Sequence, residues 1–293
     1  MNLMYKKKYK YETFNTLPLT KNILRQSEGG LRLKPVFKKS FDGKPLISII
    51  TIVYNGEKHF QETIDSIKKQ SYTNYEYIVI DGGSTDGTLE LIKKNSSIID
   101  YWVSENDNGL YDAFNKGLKL SKGDFIGIIN ADDTFEKNAL EILVKYTNSN
   151  PEADFIFGSV RKHWGILHGY KPKKIKYSWG FYSSHSTGFF IKNTSAKKVG
   201  LYNLKYKYHA DYDYFYRMIV KEKMIGVATE KMEIFGNFRR GGFSSKVNWL
   251  KLLKDEAMIR YDNGQNFILV TFLISYRLFK EGLKRLSLKL NIK

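Results

Sequence analysis

The chemistry this 293-residue sequence could do rests on acidic side chains that follow apolar runs. Asp81 follows Tyr75–Ile80, Asp107 follows Asp100–Ser104, and Asp132-Asp133 follow Asp124–Ile129; Tyr54-Asn55 stand in the same place after Ile47–Val53. Paired carboxylates repel a phosphate directly. Bridged by a divalent cation they hold one well, because Mg2+ or Mn2+ takes oxygen ligands and is typically bound by one or two carboxylates plus substrate phosphates. Such a cation also stabilises charge on a departing diphosphate. Asp132-Asp133 suit that role. The same pair could instead cap the helix that starts within a few residues, but the company of Asp81 and Asp107 favours the metal. No GxGxxG or GxxxxGK[ST] loop is present, which counts against dinucleotide cofactors and P-loop hydrolysis. The chain has no cysteine, which removes disulfides, thiolate ligands and cysteine nucleophiles. Its five histidines lack zinc-ligand spacing.

The elements that must position these groups alternate between strand and helix. Ile47–Val53 is nearly all β-branched, as in a central strand covered on both faces. Phe60, Ile64 and Ile67 are spaced along one helical face. The strand at Tyr75–Ile80 precedes a helix carrying Leu89, Leu91 and Ile92, and the strand at Asp100–Ser104 precedes one through Phe114 and Leu118. A fourth strand, Asp124–Ile129, precedes a helix around Leu140 and Val144. Four such units predict an α/β fold with a doubly wound, mostly parallel sheet. Ligands of such sheets bind beyond the carboxyl ends of the strands, where every polar cluster named above falls. The later half predicts short strands at Asp154–Val160, Thr187–Ile191 and Val227–Phe235, a helix over Asp211–Val220, and helices in the last 50 residues.

Net charge is +18, held mostly at the ends. Residues 1–44 carry 11 Lys/Arg against 3 Asp/Glu, and residues 241–293 carry 10 against 4. Two basic flanks suit an anionic membrane leaflet better than nucleic acid, which would draw the charge into the central cleft. Solvated termini in a lysine-rich protein are the plainer reading. From Leu269, the residues Phe272, Leu273, Tyr276, Phe279, Leu283, Leu286 and Leu290 form an apolar stripe. Arg277, Lys280, Lys284 and Arg285 lie opposite, the pattern of an interfacial helix. Packing on the chain's own domain or in a homodimer would give the same stripe. The N-terminus lacks a secretory pattern, and the apolar run Phe267–Tyr276 is too short to span a bilayer. The expected location is the cytoplasm, peripheral on the inner membrane's cytoplasmic face.

The segments Ile47–Gly56 (ISIITIVYNG), Ile80–Thr88 (IDGGSTDGT), Asp107–Gly117 (DNGLYDAFNKG) and Ile128–Asp133 (IINADD) resemble, in order and spacing, the family-2 inverting glycosyltransferases with the GT-A fold. The likeness covers residues 46–160 closely and thins toward 240. It implies transfer of a sugar from a nucleotide diphosphosugar, a UDP-sugar by preference, to a glycan or polyprenyl-linked acceptor hydroxyl, with Mn2+ or Mg2+ as cofactor. It implies a nucleotide-sugar site from Tyr54 (packing on the base), Asn55, Asp81 (reading base or ribose), Ser84, Asp107, Asn115, Asn130 and Asp132, with Asp132 and Asp133 on the metal. Two positions depart from the family pattern: its Asp-Asp-Gly-Ser is Asp81-Gly82-Gly83-Ser84 here, and the first Asp of its DxD is Asn130.

Inversion needs a general base, and the resemblance assigns it to Asp211 in His209-Ala210-Asp211-Tyr212-Asp213, with Asp213 as competitor. Both acids also suit the first turn of a helix. His185 either lines the acceptor or diphosphate side or is a structural histidine at a junction. The chain divides into a basic extension (1–44), a nucleotide-sugar half (45–160), an acceptor and base half (161–240) and C-terminal amphipathic helices (241–293). The enzyme expected is an inverting, metal-dependent glycosyltransferase building surface polysaccharide, lipooligosaccharide or capsule. The alternatives are a sugar nucleotidyltransferase, whose Gly-rich triphosphate loop ISIITIVYNG lacks, and a non-catalytic basic module, which has no need of acidic strand ends.

Overall fold

A computed structural model describes residues 25–34, 38–177, 186–241 and 248–289, with side chains as far as residue 283. Arg25–Gly29 forms β1. The strand–helix alternation follows: β2 (Ile47–Val53), α1 (Phe60–Lys68), β3 (Tyr75–Asp81), α2 (Thr88–Lys94), β4 (Tyr101–Glu105), α3 (Leu110–Leu120), β5 (Phe125–Asn130), β6 (Thr134–Phe135) and α4 (Ala139–Ser149). The later half contains β7 (Phe155–Phe157), β8 (Ser159–Lys162), β9 (Gly165–Leu167), α5 (Lys173–Tyr177), β10 (Phe189–Lys192), α6 (Asn193–Val199) and α7 (Ala210–Tyr216). It ends with β11 (Gly226–Ala228), β12 (Ile234–Asn237), α8 (Trp249–Asp262) and α9 (Phe267–Lys289).

Among the described residues an eight-stranded sheet runs in the order β1-β4-β3-β2-β5-β10-β7-β11, with β4, β3, β2 and β5 parallel. Every residue of β2 is buried, as its β-branched run requires. Alternate residues feed two cores. Ile50 and Ile52 join Phe114 and Leu118 of α3 on one face, and Ile47, Ile49 and Val53 join Phe60, Ile64 and Ile67 of α1 on the other. Gly117 lets α3 lie close on β2, since a Cβ there would stand 2.4 Å from Ile50 Cγ2. The register pairs Val53 with Asp81, Asp81 with Ser104, and Ile52 with Asn130, so the carboxyl ends share one edge.

Two expected strands are each split between two sheets. Asp154–Val160 breaks at Gly158, leaving β7 in the large sheet and carrying β8 into a smaller one ordered β6-β12-β8-β9. Val227–Phe235 divides in the same way into β11 and β12. The helix expected over Asp211–Val220 is α7 followed by a π-helical turn, Arg217–Lys221.

The polar segment of β1 gives no strand signal, yet it pairs antiparallel with β4 at the sheet edge. Several basic residues near it meet buried acids rather than solvent. Arg25 pairs with Glu105 (3.2 Å), Lys38 with Asp100 (2.9 Å), and Arg32 with Glu76. In α9 the expected stripe is corrected at one position. Leu273 lies about 100° round the helix from Phe272 and is buried with Val270, while Arg277 turns toward Glu256 at 3.9 Å. Phe272, Tyr276, Phe279 and Leu283, joined by Ile268, are the exposed face.

Candidate active site

The loop after β2 begins with Tyr54, 64 % exposed at the carboxyl edge. Asn55 turns the chain in the left-handed region (φ 51°), which asparagine tolerates better than most residues. Its amide N–H donates to Ser84 Oγ (2.8 Å), and its Oδ1 accepts from Thr85 N (2.8 Å). Asn55 and Ser84 therefore clip the β2–α1 and β3–α2 loops together.

The acids sort into two kinds. Asp81 is fully buried, with Oδ2 accepting from Ser104 Oγ (2.6 Å) and Oδ1 from the Ser84 hydroxyl. Both of its oxygens also accept from Ser84 N (3.3 and 3.2 Å), so the carboxylate anchors the Gly82–Ser84 turn. Asp107 is half-buried at the same edge, and its Oδ1 accepts from Gly109 N (2.8 Å).

At the end of β5, Asp133 has no exposed surface. Its Oδ1 accepts from Arg239 N (2.9 Å), and its Oδ2 accepts from Thr187 Oγ1 (2.8 Å) and Asn130 Nδ2 (3.2 Å). Burial pushes its carboxyl up to about 7, with the Asp132 charge adding to that and these hydrogen bonds opposing it. Both oxygens are engaged inside the fold. Asn130 is held between Asp133 and Ser186 Oγ (3.2 Å). Asp132 is half-buried and forms no side-chain hydrogen bond to another residue; burial raises its carboxyl, and the charges of Arg239 and His59 oppose the rise. Burial lowers the Lys162 ammonium, and the charge of Asp133 opposes that.

Asp211 opens α7. Its Oδ1 accepts from Tyr212 N (2.9 Å) and from the hydroxyl of Tyr111 (3.1 Å), and Tyr111 belongs to the first turn of α3. That contact fixes α7 to the helix that follows the β4 edge, and among the described residues Asp211 Oδ2 accepts no hydrogen bond. Asp213 is 1 % exposed and ion-paired to the equally buried Arg217 (2.9 Å), with Asn263 Nδ2 donating at 2.9 Å. This enclosure removes Asp213 as a candidate base. Asn115 is buried, and its amide exchanges bonds of 2.9 and 2.8 Å with the backbone of Tyr202. His185 lies outside the described residues.

Three residues that sequence reading missed hold this site. Tyr111 shares the helical face of Phe114 and Leu118 and so reads as core. Thr187 and Arg239 reach Asp133 from 54 and 106 positions away. Among the described residues no three His, Cys, Asp or Glu side chains converge as a metal cage. The donor set does fit a divalent cation that takes one carboxylate, Asp132, and completes its shell with substrate phosphate oxygens and water.

A mostly parallel sheet whose carboxyl edge gathers these polar side chains has the GT-A type of fold. The chain belongs to glycosyl transferase family 2, whose profile it matches over residues 48–210. It is 30 % identical over 188 residues to an uncharacterised glycosyltransferase of Rickettsia typhi, a match spanning 60 % of this chain and 59 % of that one, less than two thirds of the relative's length. It is 34 % identical over 101 residues to TuaG of Bacillus subtilis, named for teichuronic acid biosynthesis, spanning 33 % of this chain and 40 % of TuaG. Among solved structures, S. aureus TarS 1-349 with UDP-GlcNAc superposes with a TM-score of 0.57 at 17 % identity, covering 84 % of this chain and 76 % of TarS 1-349. The mannosyltransferase PcManGT of Pyrobaculum calidifontis, with GDP-Man and Mn2+, gives 0.58 at 15 % identity, covering 79 % and 68 %. These two likenesses establish the fold.

Proposed function

We propose that the chain transfers a sugar from a nucleoside diphosphosugar, a UDP-sugar by preference, to a hydroxyl of a glycan or polyprenyl-linked acceptor, with inversion. The observation that carries this reading is the sorting of the acids: Asp81, Asp133 and Asp213 are enclosed, while Asp132 and Asp211 keep carboxylate oxygens free. The acceptor oxygen attacks the anomeric carbon on the face opposite the diphosphate. As that bond forms, the bond to the diphosphate oxygen breaks and the nucleoside diphosphate leaves with the electron pair. Asp211 Oδ2 takes the hydroxyl proton, with Tyr111 and the Tyr212 amide fixing the carboxylate's orientation. Asp132 would hold the Mn2+ or Mg2+, which supplies Lewis-acid stabilisation of charge on the diphosphate when bound. Arg239 and Lys162 add positive charge on that side. The TuaG likeness supports a place in surface polysaccharide synthesis.

A thermal-shift series of nucleoside diphosphates and diphosphosugars, with and without Mn2+, tests this reading. A ligand of the native state at a hundredfold excess over its Kd stabilises by about 2.7 kcal/mol, or about 5 °C for a domain of this size. The expected result is a shift of that order with one nucleotide, larger with Mn2+; a flat series removes the proposal.

The acceptor side includes a membrane surface in this reading. Among the described residues no helix is long and apolar enough to cross a bilayer. Yet Ile268, Phe272, Tyr276, Phe279 and Leu283 are each more than half exposed along one face of α9. Residues 267–289 carry five Lys/Arg and one Glu, and the whole chain +18. That charge repels a second copy of the chain and attracts anionic lipid. Co-sedimentation with vesicles containing phosphatidylglycerol is expected, weakened at high salt and by Phe272→Gln with Phe279→Gln. Equal binding to neutral vesicles, or binding unmoved by the double substitution, excludes this face.

A further inference from the structure

Charge divides the middle of this chain sharply. Residues 45–154, which hold β2 to β5, carry 18 Asp/Glu against 10 Lys/Arg, whereas residues 155–210 carry 11 Lys/Arg and no acid. Lys198 and Lys205 are paired, with Glu222 (3.1 Å) and Asp262. Arg161, Lys162, Lys173 and Lys176 form no ion pair among the described residues. Their segment is tied at both ends to the candidate site. In β8 the Arg161 carbonyl accepts from Phe238 N (2.9 Å), and the next residue, Arg239, donates its own N–H to Asp133. Lys162 is half-buried, with Nζ 4.5 Å from the centre of the Phe238 ring. In α5 the Ile175 carbonyl accepts from the hydroxyl of Tyr212 (2.8 Å), the residue after Asp211. The segment therefore runs from the Asp133 loop to the helix that Asp211 opens, and Trp164 is 59 % exposed at its β8–β9 turn.

We propose that this segment binds the acceptor, and that the acceptor is an anionic glycan with carboxylate or phosphodiester groups close to the reacting hydroxyl. The inference rests on the transfer reading above and names its acceptor class. The hydroxyls of a neutral glycan both donate and accept hydrogen bonds, so they are matched by carboxylates as well as by cations. Lys and Arg only donate, and a segment with those and no Asp or Glu complements groups that only accept: carboxylates and phosphodiesters. The donor half, richer in acids, would repel the same ligand, so the charge division also orients it. Trp164 adds an apolar plate for the face of a sugar ring beside Arg161 and Lys162. A flat bilayer reaches exposed side chains only, which favours a glycan over lipid at the half-buried Lys162.

The test is fluorescence anisotropy of end-labelled oligomers with the full-length chain, in the presence of Mn2+ and UDP or GDP. The probes are a galacturonate hexamer, its methyl ester (the same sugar without charge) and a glycerol phosphate hexamer, so the first and third separate carboxylate from phosphodiester. One acidic oligomer is expected to bind at least about tenfold more tightly than the ester, the scale of several exposed charge pairs acting together. Arg161→Gln combined with Lys173→Gln and Lys176→Gln should lose most of that preference, with nucleotide affinity unchanged. Lys173→Arg with Lys176→Arg, which keeps the charge, should retain it. Equal binding of the ester, no binding of either acidic oligomer, or a preference unmoved by the triple substitution overturns the assignment. So does loss of binding to phosphatidylglycerol vesicles in place of oligomer binding, which would make the segment a lipid surface. Calorimetric affinity for UDP and GDP on the same samples separates the two readings. Nucleotide binding that persists beside a failed oligomer result overturns the acceptor class alone, and its absence from the wild-type chain removes both.

Discussion

Asp211→Asn is expected to reduce kcat by about 10²–10⁴-fold, the usual contribution of a positioned general base, with the Kd for the nucleoside diphosphate unchanged. The substitution keeps the shape of the side chain and an oxygen to accept from Tyr111 and the Tyr212 amide, so α7 and its contact with α3 should persist. What is lost is the basic Oδ2 that receives the proton. Turnover measured by nucleoside diphosphate release, set beside calorimetric affinity for the same nucleotide, separates the two effects. A parallel fall in affinity would place Asp211 in donor binding instead, and undiminished turnover would move the base elsewhere.

Arg217→Ala is expected to destabilise the fold by about 3–5 kcal/mol, the cost of leaving a buried charge without its partner. The guanidinium is 1 % exposed, donates through Nε to Asp213 (2.9 Å), and donates through its two terminal nitrogens to the carbonyls of Val199 (2.5 Å) and Leu201 (2.8 Å). Its removal leaves the Asp213 carboxylate with Asn263 as its side-chain donor among the described residues, and frees two carbonyls where the chain leaves α6. Urea unfolding of the wild-type and variant chains gives the difference directly. A loss below about 1 kcal/mol would mean that water replaces the guanidinium, and Asp213 would return as a candidate for proton transfer.

These two aspartates show where sequence legibility ended. The four parallel strands between Ile47 and Asn130 were readable to within about a residue, and the helices between them by their apolar faces, because β-branched runs and apolar spacing follow directly from a sheet covered on both faces. The shared carboxyl edge was readable for the same reason. Which acid works at that edge was not. Asp132 and Asp133 are neighbours of one residue type, and Asp211 and Asp213 lie two apart in one helical turn. What separates them is rotation about the chain axis and partners from distant segments: Thr187 and Arg239 for Asp133, Arg217 and Asn263 for Asp213. Strand β1 was equally silent, since Arg-Gln-Ser-Glu-Gly has no apolar alternation and pairs through its backbone at an edge. Gly158 hid the change of sheet between β7 and β8; a Cβ there would stand 2.1 Å from the Phe235 ring, a contact visible only once β12 is in place.

The division between working and structural carboxylates is tested most directly by the Mn2+ dependence of UDP and GDP affinity in the wild-type chain and in Asp132→Ala. The account predicts that Mn2+ tightens wild-type binding by about tenfold or more, in line with the loss expected when a group supporting a bound metal is removed, and that Asp132→Ala binds equally with and without the metal. An Mn2+ effect of the same size in both proteins, or none in the wild-type chain, would contradict it.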